Sequence, residues 1–169
     1  MRIGVAKKRR RARNNYNVIM IKIISFVDSF KHYDEPIKEF QKRLGKTVDF
    51  IKIKPSKRKE ISEIIKDETL ELQKILEKEK GYKILLYIDS KQLKTEDFAK
   101  LIEEKQMRYA NIVFIIGGAY GVDLGIIEDK INMKLSLSPM TFPHAQAIMM
   151  LFEQVYRASC IKKGVRYHH

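Results

Sequence analysis

The stretch NIVFIIGGAYG, residues 111 to 121, decides the fold. Its run from Ile112 to Ile116 is apolar without interruption, the pattern of a strand covered on both faces as in a parallel sheet. Gly117 and Gly118 follow at once. Glycine there lets the backbone approach a ligand closely or take up positive φ. At the carboxyl end of a strand in an open α/β sheet, that is where ligands settle. Taken alone the pair also suits a purely structural turn, since it is not a G-x-G-x-x-G and the P-loop pattern is absent.

Further runs rich in Ile, Val and Phe fall near 18 to 27, 47 to 53 (TVDFIKI), 82 to 88 (YKILLYI) and 132 to 137 (NMKLSL). Longer segments of helical period separate them, so the expected class is α/β with a mostly parallel sheet flanked by helices. Between 58 and 80, Ile61, Ile64, Ile65, Leu72, Ile75 and Leu76 share one helical face that packs on the sheet. The segment 95 to 108 reads as a helix with Thr95 as N-cap and Glu96 and Asp97 in the first turn. A last helix is expected to start near Pro143, to run to about Ile161 and to be closed by Gly164. It is apolar almost all round, which suits burial on several sides, either deep in the core or against a second copy in a homodimer.

From Leu135 to Phe152 the chain holds no Asp, Glu, Lys or Arg, although a third of all residues are charged. Within this stretch, LSLSPMTFPHA again follows an expected strand and is stiffened by Pro139 and Pro143. Leu137, Met140 and Phe142 offer apolar surface, and Ser138 and Thr141 offer hydroxyls, as in the lining of a small-molecule slot. An entry loop to the last helix, with Thr141 as cap, has the same composition.

The formal net charge is +13, and residues 1 to 17 hold seven basic and no acidic residues. That segment is expected to be a basic N-terminal extension, with 18 to 169 forming one domain. Such a balance suits a polyanion such as RNA, because Lys and Arg neutralise phosphates and release counterions. A single cysteine, Cys160, excludes an intramolecular disulfide and a Cys-x-x-Cys metal site. No apolar run reaches the roughly 20 residues of a membrane-spanning helix. The expected partners therefore include neither membrane nor metal, and the expected location is cytoplasmic. The chain closes on Arg166, Tyr167, His168 and His169, preceded by Tyr156 and Arg157: phosphate-binding, base-stacking and proton-moving side chains together.

FIIGGAYG, then LSLSPMTFPH, then FEQVYRA and a chain ending in YH resemble, in this order, the SPOUT-class ribosomal RNA large-subunit methyltransferases of the YbeA/OrfX type. The resemblance runs from about Met20 to His168. It implies a SPOUT fold with a C-terminal trefoil knot and S-adenosylmethionine held by Leu86, Gly117, Leu137, Ser138, Pro139, Met140, Thr141 and Phe142. It also implies a homodimer whose substrate is a pseudouridine of 23S rRNA in the assembled ribosome, methylated at N3. Motif by motif, His168 is expected to take the N3 proton, Tyr167 to stack on or orient the base, and Arg157 to anchor phosphate or the uracil oxygens. Where the family often has a glycine before the lysine of the loop after the third strand, this chain has Ser90. Two rival functions share the charge pattern: a SPOUT enzyme acting on another RNA, and a non-catalytic ribosome-binding module.

Overall fold

The computed structural model describes residues 20 to 167. The expected basic extension, 1 to 17, and His168 and His169 lie outside the described residues. Five strands form one sheet: β1 (Met20–Phe26), β2 (Val48–Ile53), β3 (Tyr82–Gln92), β4 (Asn111–Ile116) and β5 (Met133–Ser136). They are ordered β2-β1-β4-β3-β5, and every pairing is parallel. Between them run α1 (Asp34–Leu44), α2 (Ile61–Lys78), α3 (Thr95–Arg108) and the single turn α4 (Leu124–Ile127); α5 (His144–Lys163) closes the fold.

Side chains alternate across the sheet, as the pleat requires. Ile21, Ile23, Ile84, Ile112, Phe114 and Ile116 meet α1, α3 and α5 on one face. Ile24, Phe26, Leu85, Val113 and Ile115 meet Leu72 and Leu76 of α2 and Ile127 of α4 on the other. The result is three layers. In α5, Ile148, Leu151, Phe152, Val155, Ala158 and Cys160 are buried, while Met149, Tyr156 and Ile161 pack against the same core more shallowly. Much of the helix's apolar girth is thus absorbed between α1, α3 and the sheet.

Two local expectations are corrected, and the start of α5 falls where it was expected. Strand β3 does not stop near residue 88; after a register shift between Leu86 and Lys91 it continues to Gln92, because Lys91 and Gln92 pair with Leu135 and Ser136 of β5. Thr95 is the first helical residue of α3 and not its cap; the cap position is Lys94, and the Thr95 hydroxyl donates to Gln154 Oε1 on α5 at 3.0 Å. Pro143 precedes α5 as its cap residue, with ψ of 140°, so its fixed φ directs the chain into the helix from outside. Gly164 does end α5 in a left-handed conformation, φ 64° and ψ 23°, with its N–H and that of Val165 returning to the last turn.

Phe152 is fully buried and meets Phe50 of β2 edge-on at 5.3 Å. Truncation to alanine leaves a cavity that the surrounding helices and sheet fill only in part. Phe152→Ala is expected to lower stability by about 3–5 kcal/mol, read as a fall in the urea midpoint at unchanged slope.

Candidate functional site

The carboxyl ends of β3 and β4, the 137 to 142 loop and the first turn of α5 enclose a cleft of about 250 Å³. Both loops singled out in the sequence line it, from opposite sides. Leu86, Gly117, Leu137, Ser138, Met140, Thr141 and Phe142 are in its wall; Pro139 lies in the same loop but not in the lining. Met140, 70% exposed, stands at the mouth. Among the described residues, no Asp, Glu, Lys or Arg lines the cleft. The charge-free stretch therefore becomes a wall without fixed charge.

Hydrogen bonds give the loops their shape. The Ser136 hydroxyl donates to the Ser138 carbonyl at 2.8 Å, and Met140 N–H donates to Ser138 Oγ at 3.0 Å. Across the cleft, Gly121 N–H donates to the Gly118 carbonyl at 3.0 Å, closing a tight turn. A Cβ on Gly118 would lie 1.8 Å from Glu68 Oε2, so this residue has no room for a side chain. Asp123 N–H donates to Thr69 Oγ1 at 2.9 Å and ties the same turn to α2. The lining is mostly apolar side chains with close backbone and a few hydroxyls, the composition of a small-molecule site.

Sequence reasoning passed over the cleft's most constrained side chain, His144. Its Nε2 lies 3.0 Å from Ser25 Oγ at the end of β1, and that hydroxyl donates to the Ile116 carbonyl at 3.2 Å. With its proton so directed, Ser25 accepts from Nε2. The only hint was a histidine directly after the proline that opens α5. Burial pushes the imidazole below its usual pKa, offset in part by a hydrogen bond with the Phe26 backbone.

The tail residues gather elsewhere. Arg157 donates from Nε to Glu153 Oε1 at 2.9 Å, and its guanidinium lies 4.7 Å from the centre of the Tyr167 ring. The Tyr167 hydroxyl donates to the same carboxylate at 3.3 Å, and its ring meets Tyr156 edge-on at 4.9 Å. Burial, then the Glu153 charge, raises the Tyr167 pKa; hydrogen bonding to Glu153 raises that of Arg157. At pH 7 the phenol keeps its proton and the guanidinium its charge. Arg157 is thirteen residues beyond His144 on α5, about 20 Å at 1.5 Å per residue. The structure therefore brings Arg157 and Tyr167 together but not to the cleft of their own chain.

A larger concavity of about 400 Å³ lies between the ends of α1, α3 and α5, near Arg43 and Tyr156. It sits at the amino ends of the strands and holds no glycine loop, so the chemistry is assigned to the smaller cleft. No cluster able to hold a metal ion occurs among the described residues, and no described helix is long and apolar enough to cross a membrane.

The depressed pKa of His144 has a definite sign. The unfolded chain, titrating near 6.5, binds more protons than the folded form below that pH. Stability is full above about pH 6.5 and is lost as pH falls from there toward the folded-state value. His144→Asn is expected to flatten the fall in urea midpoint between about pH 7 and 5 relative to wild type; parallel curves contradict the assignment.

Comparison with known proteins gives the family. The family model described as predicted SPOUT methyltransferase matches residues 19–168. A protein of Fusobacterium nucleatum named ribosomal RNA large subunit methyltransferase H is 36% identical over 158 residues, covering 91% of this chain and 99% of that relative. A protein of the same name from Caldicellulosiruptor saccharolyticus is 34% identical over 156 residues, covering 88% and 99%. A crystal structure from Bacillus anthracis, described as a candidate RNA methyltransferase, superposes with a TM-score of 0.53 at 16% identity over 88% of this chain and 99% of its own, a likeness of fold alone. Enzymes of this kind need a methyl donor, and the chain belongs to the SPOUT methyltransferase family.

Proposed function

We propose that this protein transfers the methyl group of S-adenosylmethionine to N3 of a pseudouridine in 23S rRNA, acting in the cytoplasm as a homodimer on assembled ribosomes. The observation that carries the reading is the uncharged cleft between the Gly117–Gly118 turn and the 137 to 142 loop, in a chain whose relatives are named for large-subunit rRNA methylation. The trefoil knot implied by the sequence resemblance belongs to the same proposal.

When bound, S-adenosylmethionine supplies an electrophilic methyl group on a sulfonium. The protein's part is to seat and orient that cation. A wall without Lys or Arg and a His144 kept neutral by burial set no positive charge against it. Leu86, Leu137 and Phe142 exclude water from the apolar part, while the Gly117 and Gly118 backbone passes close beneath. For transfer, pyrimidine N3 gives up its proton and forms a bond to the methyl carbon in line as the carbon–sulfur bond breaks. Holding these atoms in line supplies much of the rate, and a proton acceptor adds to it. Tyr167 stays protonated at neutral pH and suits stacking and hydrogen bonding to the base. His168, outside the described residues, is the proposed acceptor. Arg157, held by Glu153, is the proposed anchor for phosphate or the uracil oxygens.

The separation of about 20 Å along α5 supports a shared site in which one protomer's tail serves its partner's cleft. Methyl transfer to 70S ribosomes, with digestion and nucleoside mass spectrometry, is expected to yield N3-methylpseudouridine. Label in another nucleoside or another RNA refutes the target, and no transfer despite S-adenosylmethionine binding refutes the activity. Leu137→Arg blocks the cleft and Arg157→Ala removes a tail contact, so each variant alone is expected to be nearly inactive. Unfolded and refolded together in equal amounts, they are expected to recover about a quarter of wild-type activity, because half the dimers then carry one intact site. No recovery contradicts the shared site.

A further inference from the structure

Residues 54 to 59, Lys-Pro-Ser-Lys-Arg-Lys, join β2 to α2 at the carboxyl edge of the sheet, the edge that carries the cleft. Neither the cleft nor the tail uses them. Lys54, Lys57, Arg58 and Lys59 are all exposed. Arg58 pairs with Asp67 at 3.3 Å, whereas Lys54, Lys57 and Lys59 have no ion pair among the described residues.

The loop is nonetheless firmly built. Ser56 N–H donates to Glu68 Oε1 at 3.0 Å, the Ser56 hydroxyl donates to Asp67 Oδ2 at 3.1 Å, and Arg58 N–H donates to Ser56 Oγ at 3.2 Å. Glu68 is the unusual member of this set. It is only 4% exposed, and its second oxygen, Oε2, has no hydrogen-bond partner among the described residues. That oxygen occupies the space where a side chain on Gly118 would begin. Burying a carboxyl group with an unsatisfied oxygen is unfavourable, and burial raises its pKa. A solvated surface loop needs no such anchor. A loop that must present cations in a fixed arrangement, beside a cofactor turn resting on the same carboxyl group, does.

We propose that the 54 to 59 loop grips the phosphate backbone of the rRNA substrate, and that Glu68 is a positioning residue that holds the loop in its binding shape against the Gly118 turn. The proposal rests on rRNA as the substrate. Unpaired, exposed lysines suit phosphate because each contact releases condensed counterions, which makes the affinity salt-dependent. Glu68 adds a prediction of opposite sign to simple electrostatics. Removing a negative charge beside cations would tighten binding to a polyanion, whereas losing the loop's anchor weakens it.

The test is the affinity for purified 70S ribosomes at several KCl concentrations, measured by sedimentation beside calorimetric binding of S-adenosylmethionine. The variant Lys54→Ala/Lys57→Ala/Lys59→Ala, confined to the surface, is expected to bind ribosomes at least tenfold more weakly near 0.1 M salt. Its slope of log K against log salt should be shallower by about 0.7–0.9 per lost contact, with S-adenosylmethionine affinity unchanged. Glu68→Ala is expected to weaken ribosome binding, and Glu68→Gln to restore it, since an amide oxygen still accepts from Ser56 N–H. An unchanged slope in the lysine variant, including weaker binding at the same slope as for a protein contact, overturns the phosphate assignment. Tighter binding by Glu68→Ala overturns the positioning role. Wild-type protein with no salt-dependent affinity for ribosomes overturns the rRNA reading together with this one.

Discussion

Everything at the carboxyl edge depends on where β4 ends. This strand lies between β1 and β3, and from Ile112 to Ile116 each side chain is buried. Its ladder is fixed on both sides, Ile116 pairing with Ser25 and with Leu86. A slip by one residue would exchange the two faces and put each core against the wrong helices. The glycine turn begins at the next residue. It is therefore delivered to one place by the packing of the whole molecule, and the 137 to 142 loop meets it there because β5 is registered on β3.

Charge is segregated around that point. A third of the residues are charged, but none of those in the cleft wall is. The one imidazole there has its pKa lowered by burial, and Ser25 fixes its position. A cation meets no repulsion in such a wall, and the low local polarity strengthens any contact it makes with backbone carbonyls. The basic groups lie outside, on the 54 to 59 loop and the tail, where a polyanion in water can reach them. Glu68 stands at the boundary between the two regions, touching the loop with one oxygen and the glycine turn with the other.

Much of this was legible from residue order. Apolar runs located the five strands, and the sharp end of the run at Ile116 located the turn, because burial and backbone freedom are both written in local composition. Gly164 was legible for the same reason. What sequence reading missed depends on partners far along the chain. The polar end of β3 is a strand only because β5 pairs with it, and Thr95 gives its hydroxyl to Gln154 rather than to its own helix end. His144 gains its environment from Ser25, and Glu68 its meaning from Gly118 and Ser56. No local pattern marks such residues. Arg157 and Tyr167 were readable as chemistry and Arg157 as a residue late in the last helix, but that the cleft lies at the opposite end of α5 needed the fold.

In the proposed function the glycine turn and the 137 to 142 loop together hold the methyl donor. A crystal structure with S-adenosylhomocysteine, the demethylated product, tests it most directly. Density is expected in the 250 Å³ cleft, over the backbone of Gly117 and against Leu137 and Phe142, with His144 still bonded to Ser25. Density in the concavity between α1, α3 and α5, or an empty cleft at saturating ligand, would contradict it.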